Sequence, residues 1–158
     1  MSKAFTSEET DVMDVVAPRA PLPEGTPNYV TPRGHALLRE ERGELASKRA
    51  RAEAAGDVAA MNALGARLAA LDERVASAQV VETTSTDVVR FGSRVTVRLE
   101  GAREQSYRIV GVDEADPANG DIAFTSPIAR ALLGHEIGDE VTVRTPRGND
   151  TLEVLAIA

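Results

Sequence analysis

Few residues of this chain are of a type that does chemistry, and their spacing rules out most of what they offer. Cysteine is absent, which excludes disulfides, thiolate metal sites and thiol nucleophiles and fits a reducing cytoplasm. The two histidines, His35 and His135, stand far apart without neighbouring ligands; no zinc spacing exists, and both read as helix-surface or loop residues. Ser93 and Ser126 have neither a base nor an oxyanion context nearby, and no glycine-rich phosphate cradle is present. Two features are left. Asp57 follows Gly56, with Glu53 four residues earlier, and one basic run holds Arg39, Arg42, Lys48, Arg49 and Arg51 among Glu40, Glu41 and Glu44. An aspartate after a glycine is first of all a helix cap, and interleaved charges are first of all a solvated face.

Composition bounds the elements that hold these residues. A chain of 158 residues makes one ordinary domain or two small modules sharing an interface. Hydrophobic residues at 42% and charged residues at 27% are the balance of a globular protein rather than a disordered one. Aromatics are only 3%, so the core must be built from Val, Leu, Ile and Ala. The net charge of −7 argues against unaided binding along a nucleic-acid backbone, which needs a basic face. No apolar run is long enough to span a membrane, and Met1 to Asp14 is acidic and polar, without the pattern of a secretion signal. The expectation is a cytoplasmic protein with no membrane partner.

Three zones follow. Residues 1–28 carry Glu8, Glu9, Asp11, Asp14 and Glu24 together with Pro18, Pro21, Pro23 and Pro27, and read as a flexible acidic arm; each proline removes a backbone donor and pushes its predecessor toward extended geometry. Residues 29–79 read as a helical hairpin. Thr31-Pro32 is a capping hydroxyl with proline at the first helical position, and Leu37, Leu38, Leu45, Ala46, Ala50, Ala52 and Ala55 follow. In the second arm Met61, Leu64, Leu68, Leu71, Val75 and Ala78 recur at alternating steps of three and four, the seam of a coiled coil. Gly56 suits the left-handed geometry of a helix end and Asp57 the cap of the next helix. Arg42, Lys48 and Arg49 interrupt the first arm's stripe, which leaves a competing reading: one unbroken helix through Gly56 that dimerises in trans.

Residues 80–158 switch to period two. Val95, Val97 and Leu99 alternate, Tyr107, Ile109 and Val110 make a second strand, Ile122 and Phe124 a short third, and Val141, Val143 and then Leu152, Val154 and Ile157 a closing pair around Pro146-Arg147-Gly148. Ser126-Pro127 repeats the cap-plus-proline start for a helix over Ile128–Leu133, stopped by Gly134. The fold class is therefore α+β: an amino-terminal antiparallel hairpin and a mostly antiparallel sheet crossed by one short helix.

These residues also carry a resemblance. The run Ser126-Pro127-Ile128-Ala129-Arg130-Ala131-Leu132-Leu133-Gly134, then Ile137-Gly138-Asp139 and Val143-Arg144-Thr145-Pro146-Arg147-Gly148, resembles the carboxyl-terminal signature of the GreA/GreB transcription elongation factors of bacteria. Tyr29-Val30-Thr31-Pro32-Arg33-Gly34 resembles the family's opening, Ala78-Gln79-Val80-Val81 its exit into the second domain, and Tyr107-Arg108-Ile109-Val110-Gly111 is a further match. The resemblance implies an FKBP-like second domain and a coiled coil that enters the secondary channel of the RNA polymerase core. It implies polymerase docking through Thr125, Ser126, Pro127, Ile128, Ala129 and Arg130, and a basic patch of Arg42, Lys48, Arg49 and Arg51 facing the nascent RNA. In typical members acidic tip residues assist cleavage of backtracked RNA by the polymerase's own active site, so the factor itself is no enzyme. A second magnesium would be shared with the polymerase rather than held by this chain alone, since magnesium commonly takes only one or two protein carboxylates.

The tip departs from the family's pattern. The family has a glutamate three residues after the aspartate, where this chain has Ala60 followed by Met61. Asp57 is the surviving family carboxylate and Glu53 the candidate substitute, and the hairpin reads as several turns shorter than in the cleavage factors. Two outcomes follow within the family: assisted cleavage, or occlusion of the channel without cleavage. Outside it stand an FKBP-like prolyl isomerase, which needs an aromatic-lined pocket from Tyr107, Phe91 and Phe124, and a coiled-coil scaffold. A closed hairpin predicts a monomer, a trans coiled coil a dimer.

Overall fold

The computed structural model describes residues 19–100 and 103–158; the first eighteen residues of the expected acidic arm lie outside them. Elements run β1 (Tyr29–Val30), α1 (Pro32–Ala54), α2 (Val58–Ser77), β2 (Gln79–Val80), β3 (Arg94–Leu99), β4 (Glu104–Val110), a single 3-10 turn (Pro117–Asn119), β5 (Asp121–Ala123), α3 (Pro127–Leu132), β6 (Glu140–Thr145) and β7 (Gly148–Ile157). Two compact units emerge: the described residues up to Thr26 with His35–Ala78, and Pro27–Gly34 with the described part of Gln79–Ala158.

In the first unit the chain reverses at Gly56, so the reading of one unbroken rod is overturned. Gly56 adopts φ +70°, its N–H donates to the carbonyl of Glu53 at 3.1 Å, and the Asp57 N–H reaches back to Ala52 at 2.9 Å. This pair of bonds consumes carbonyls that α1 would otherwise leave open, and a side chain at the left-handed position would be strained. Leu38, Leu45, Leu64 and Leu71 are all at most 4% exposed; within each helix they lie seven residues apart, so both arms bury one seam. Two of the three basic residues that interrupt the first stripe meet partners on α2. Arg42 is ion-paired with Asp72, and Arg67 approaches Glu41 at 3.7 Å. Arg49 lies over Gly65, where a Cβ would come within 3.4 Å of its Nε.

Residues 19–26 do not run free as an arm. Arg19 pairs with Glu41, the Arg74 guanidinium donates to the Ala20 carbonyl, and Thr26 closes a turn on Pro23. Prolines keep this stretch extended, and side chains of the hairpin supply the partners that its own backbone lacks.

The second unit is a five-stranded sheet in the order β5-β4-β3-β7-β6, antiparallel except for β4 with β5. Alternation works as expected: Val95, Val97, Ile109, Val141, Val143, Leu152 and Val154 fill one face with Ala129 and Leu132 of α3. Ser93 is wholly buried and structural, its hydroxyl accepting from Arg90 N–H at 2.9 Å. A feature the sequence did not announce is the parallel pairing of β1 with β2, Tyr29 against Gln79 and Val30 against Val80. The strand entering the hairpin is thus bonded to the strand leaving it. Tyr29 packs on Phe91 and Phe124 with ring centroids 5.9 and 5.5 Å away, and its carbonyl lies against Gly111.

Gly111 admits that approach because it has no Cβ; one added there would sit 2.5 Å from the Tyr29 carbonyl oxygen. Gly111→Ala is expected to destabilise the protein by about 1–3 kcal/mol, the usual range for overpacking a close contact, measured as a lowered midpoint of urea unfolding. A second expectation concerns the loop between α3 and β6. The Glu136 backbone N–H and His135 hold the Asp139 carboxyl below its ordinary value. A depressed carboxylate contributes stability above its unfolded pKa and loses it as pH falls through the folded one. The stability gap between the native chain and Asp139→Ala should therefore be constant near neutral pH and close in the acid range.

Candidate functional site

Three groups of residues were expected to act, and each is placed by a distinct local device. The first is the hairpin tip. Asp57 is the N-cap of α2: its Oδ1 accepts from the Ala60 N–H at 3.0 Å. Position 60 thus contributes a backbone donor to the cap but no second carboxylate. Glu53 is exposed in the last turn of α1, and its carbonyl closes the Gly56 turn. Around them Ala54, Ala55 and Ala59 are exposed, and Val58 is 61% exposed. The end of the finger is therefore small and apolar, carrying Asp57 and Glu53 as its acids. Among the described residues no three His, Cys, Asp or Glu side chains gather as a metal site would need. The donor set fits at most a shared ion completed from elsewhere.

The second group is the basic patch of α1. Lys48 and Arg51 are exposed, as expected. Arg42 and Arg49 are exposed too, and they also meet partners within the hairpin, Arg42 through the Asp72 pair and Arg49 against Gly65. The pattern of α1 alone could not show this, since both partners lie on the other helix.

The third group opens α3. Ser126 is its N-cap, with φ −68° and ψ 153°, and its hydroxyl accepts from the Ala129 N–H at 3.3 Å; Pro127 follows in the first turn. Ala129 is fully buried, which removes it from any contact surface; its methyl packs inward and sets how closely α3 sits on the sheet. Ile128 also packs against the core. Pro127 and Arg130 are the exposed members, and Thr125 is half-buried.

One cluster was missed. Glu114, with a side chain only 2% exposed, accepts from the Thr31 hydroxyl at 2.5 Å, and that same oxygen accepts from the Gly34 N–H at 2.9 Å. Nη1 of Arg33 and Nη1 of Arg108 each approach Glu114 at 3.7 Å, and Arg33 also approaches Asp121 at 3.5 Å. The buried carboxylate thus reinforces the Thr31 cap of α1's first turn, where the unpaired N–H groups favour negative charge. Thr31-Pro32 signalled the cap, but nothing in the sequence pointed to an acid 83 residues away.

The three aromatics named for a proline pocket are placed in the packing of the β unit. Tyr107 is buried in the sheet core and Phe124 is stacked with Tyr29 and Phe91. The groove beside them, along Val81–Ser85 and Val89–Phe91 to Leu133 and Gly134, has Phe91 as its one aromatic.

Residues 84–158 match the family described as "Transcription elongation factor, GreA/GreB, C-term". Transcription elongation factor GreA of Desulfovibrio desulfuricans is 41% identical over 136 residues, covering 78% of this chain and 84% of that protein. Transcription elongation factor GreB of Neisseria meningitidis is 34% identical over 154 residues, covering 84% and 94%. Among solved structures, the GreA factor homolog 1 protein of Thermus thermophilus is 25% identical with a TM-score of 0.42, covering 84% of this chain and 99% of that one.

The cap role of Asp57 has a direct consequence. Asp57→Ala should cost about 1 kcal/mol of stability through loss of the N-cap, whereas Glu53→Ala should change stability by less than about 0.5 kcal/mol, as exposed substitutions away from such features do. Chemical denaturation of both variants measures the difference.

Proposed function

Since this chain belongs to the GreA/GreB family of transcription elongation factors, we propose that it docks on the bacterial RNA polymerase core through the start of α3 and places its hairpin in the secondary channel, where it acts chiefly by occupancy. Factors of this family are not themselves enzymes; they stimulate cleavage of backtracked RNA by the polymerase's active site. The observation that carries the occupancy reading is the tip itself: Asp57 is tied to the α2 cap, and Ala60 stands where the family's second carboxylate is expected. Recruiting a second magnesium for hydrolysis takes carboxylates free to turn toward the metal. A lone cap aspartate in an apolar tip supplies less of that than a pair.

Docking falls to the exposed Pro127 and Arg130, with Thr125 at their side, while the buried Ala129 and the capping Ser126 fix the shape they are presented on. Arg42, Lys48, Arg49 and Arg51 are all exposed and are the cations that face the nascent RNA, whose charge attracts exposed basic side chains. Magnesium, where it enters, is shared with the polymerase. The chain works in the cytoplasm, where its polymerase is.

A second reading is favoured by one observation: Glu53 is exposed one helical turn before Asp57, at the same end of the hairpin. In that reading Glu53 replaces the missing glutamate and the chain assists cleavage. Purified polymerase stalled in a backtracked complex separates the two. Occupancy predicts slowed elongation without release of short 3′ RNA fragments. Rapid fragment release, abolished by Asp57→Ala or Glu53→Ala, establishes cleavage instead.

A further inference from the structure

Strand β6 is the outer strand of the sheet, paired on one side with β7 alone. Pro146-Arg147 makes a two-residue turn, so Thr145 and Gly148 form a hydrogen-bonded pair, and Val143 with Asp150 and Val141 with Leu152 follow it. The backbone N–H and C=O groups of Glu140, Thr142 and Arg144 therefore point away from β7, and the pairing with β7 leaves them unused. Their side chains are exposed, while Val141 and Val143 face the core.

The charges along this edge are of opposite sign, four residues apart, and unmatched at home. Glu140 lies directly across from Glu153, a like charge that is itself engaged by Arg98 at 3.3 Å. Arg144 lies across from the neutral Asn149. Neither Glu140 nor Arg144 enters an ion pair among the described residues. Charges on a free edge ordinarily block strand addition. Here they favour it for one partner geometry.

We propose that this edge is a self-complementary docking surface for a second copy of the chain. Two β6 strands laid antiparallel about a two-fold axis at Thr142 place Glu140 of each copy opposite Arg144 of the other, and Thr142 opposite Thr142. Each of these three pairs is of the hydrogen-bonded kind, using the backbone groups that are otherwise open. Val141 meets Val143 on the core side, so the two sheets continue as one. The interface is isologous, the usual form for a dimer. It is also small, because a strand of six residues buries little apolar area, so the association is weak and rises with concentration. The monomer implied by a closed hairpin is then the dilute state.

Sedimentation equilibrium of the full chain over a wide concentration range tests this. The mass is expected to rise from one copy toward two. Glu140→Arg or Arg144→Glu alone should weaken self-association about tenfold, because each sets like charges opposite one another twice. The double reversal, Glu140→Arg with Arg144→Glu, should restore it, since the opposed pairs are then complementary again. Unchanged circular dichroism shows that the single variants remain folded. A monomer mass at every concentration overturns the proposal. So does a dimer indifferent to the single reversals, which would place the contact elsewhere.

Discussion

The left-handed backbone at Gly56 is the constraint on which the hairpin depends. Its φ of +70° lets α1 end by folding its last N–H groups back on Ala52 and Glu53, and the next residue is then placed to start α2. Only after that reversal can Leu38 and Leu45 share a seam with Leu64 and Leu71. The same reversal sets the chemistry of the tip. Because the turn is tight, the residue that caps α2 is also the residue that stands at the very end, and Asp57 carries both duties. A capping box would have added a second carboxylate at no cost to the fold. With Ala60 in that place the cap is kept by its backbone N–H, without that carboxylate.

In the β unit the same economy applies to the opening of α1 and of α3. Thr31 and Ser126 both cap with their hydroxyls, and both are followed by proline. The first cap is backed by the buried Glu114 between Arg33 and Arg108. Glu114 is the buried member, while Arg33 is largely exposed, so removing the Thr31 hydroxyl that donates to it would leave a buried carboxylate less satisfied, and the cluster specifies the first turn of α1 as well as stabilising it. The second cap is backed by apolar packing alone, with Ala129 and Leu132 against the sheet. That leaves Pro127 and Arg130 exposed on a packed base.

What the sequence disclosed was what repeats or punctuates. The three-and-four stripe of Met61 to Ala78, the alternation from Val95 to Leu99 and the Ser126-Pro127 start each rest on a local period or a local cap, and each element formed where its signal stood. What it concealed depends on partners distant along the chain. The strands β1 and β2 are two residues each, too short to show a period, and exist only because Tyr29 and Val30 meet Gln79 and Val80. Glu114 read as one acid in a polar loop. Arg42 and Arg49 read as a free cationic surface because Asp72 and Gly65 lie beyond the turn. The prolines near residue 20 read as an arm because no local signal shows Arg19 reaching Glu41 or Arg74 reaching Ala20. Of the candidate site, the caps at Asp57 and Ser126 were legible because each is a local signal, while the burial of Ala129 depends on the distant strands it packs against.

The proposed function requires the hairpin tip to lie inside the polymerase secondary channel. A photo-crosslinking amino acid at position 58, where Val58 is exposed and takes no part in the cap, reports this directly in a complex with purified polymerase. Crosslinks to polymerase segments bordering the active centre are the predicted result. Crosslinks confined to the outer rim of the channel, from a factor that still binds, would contradict it.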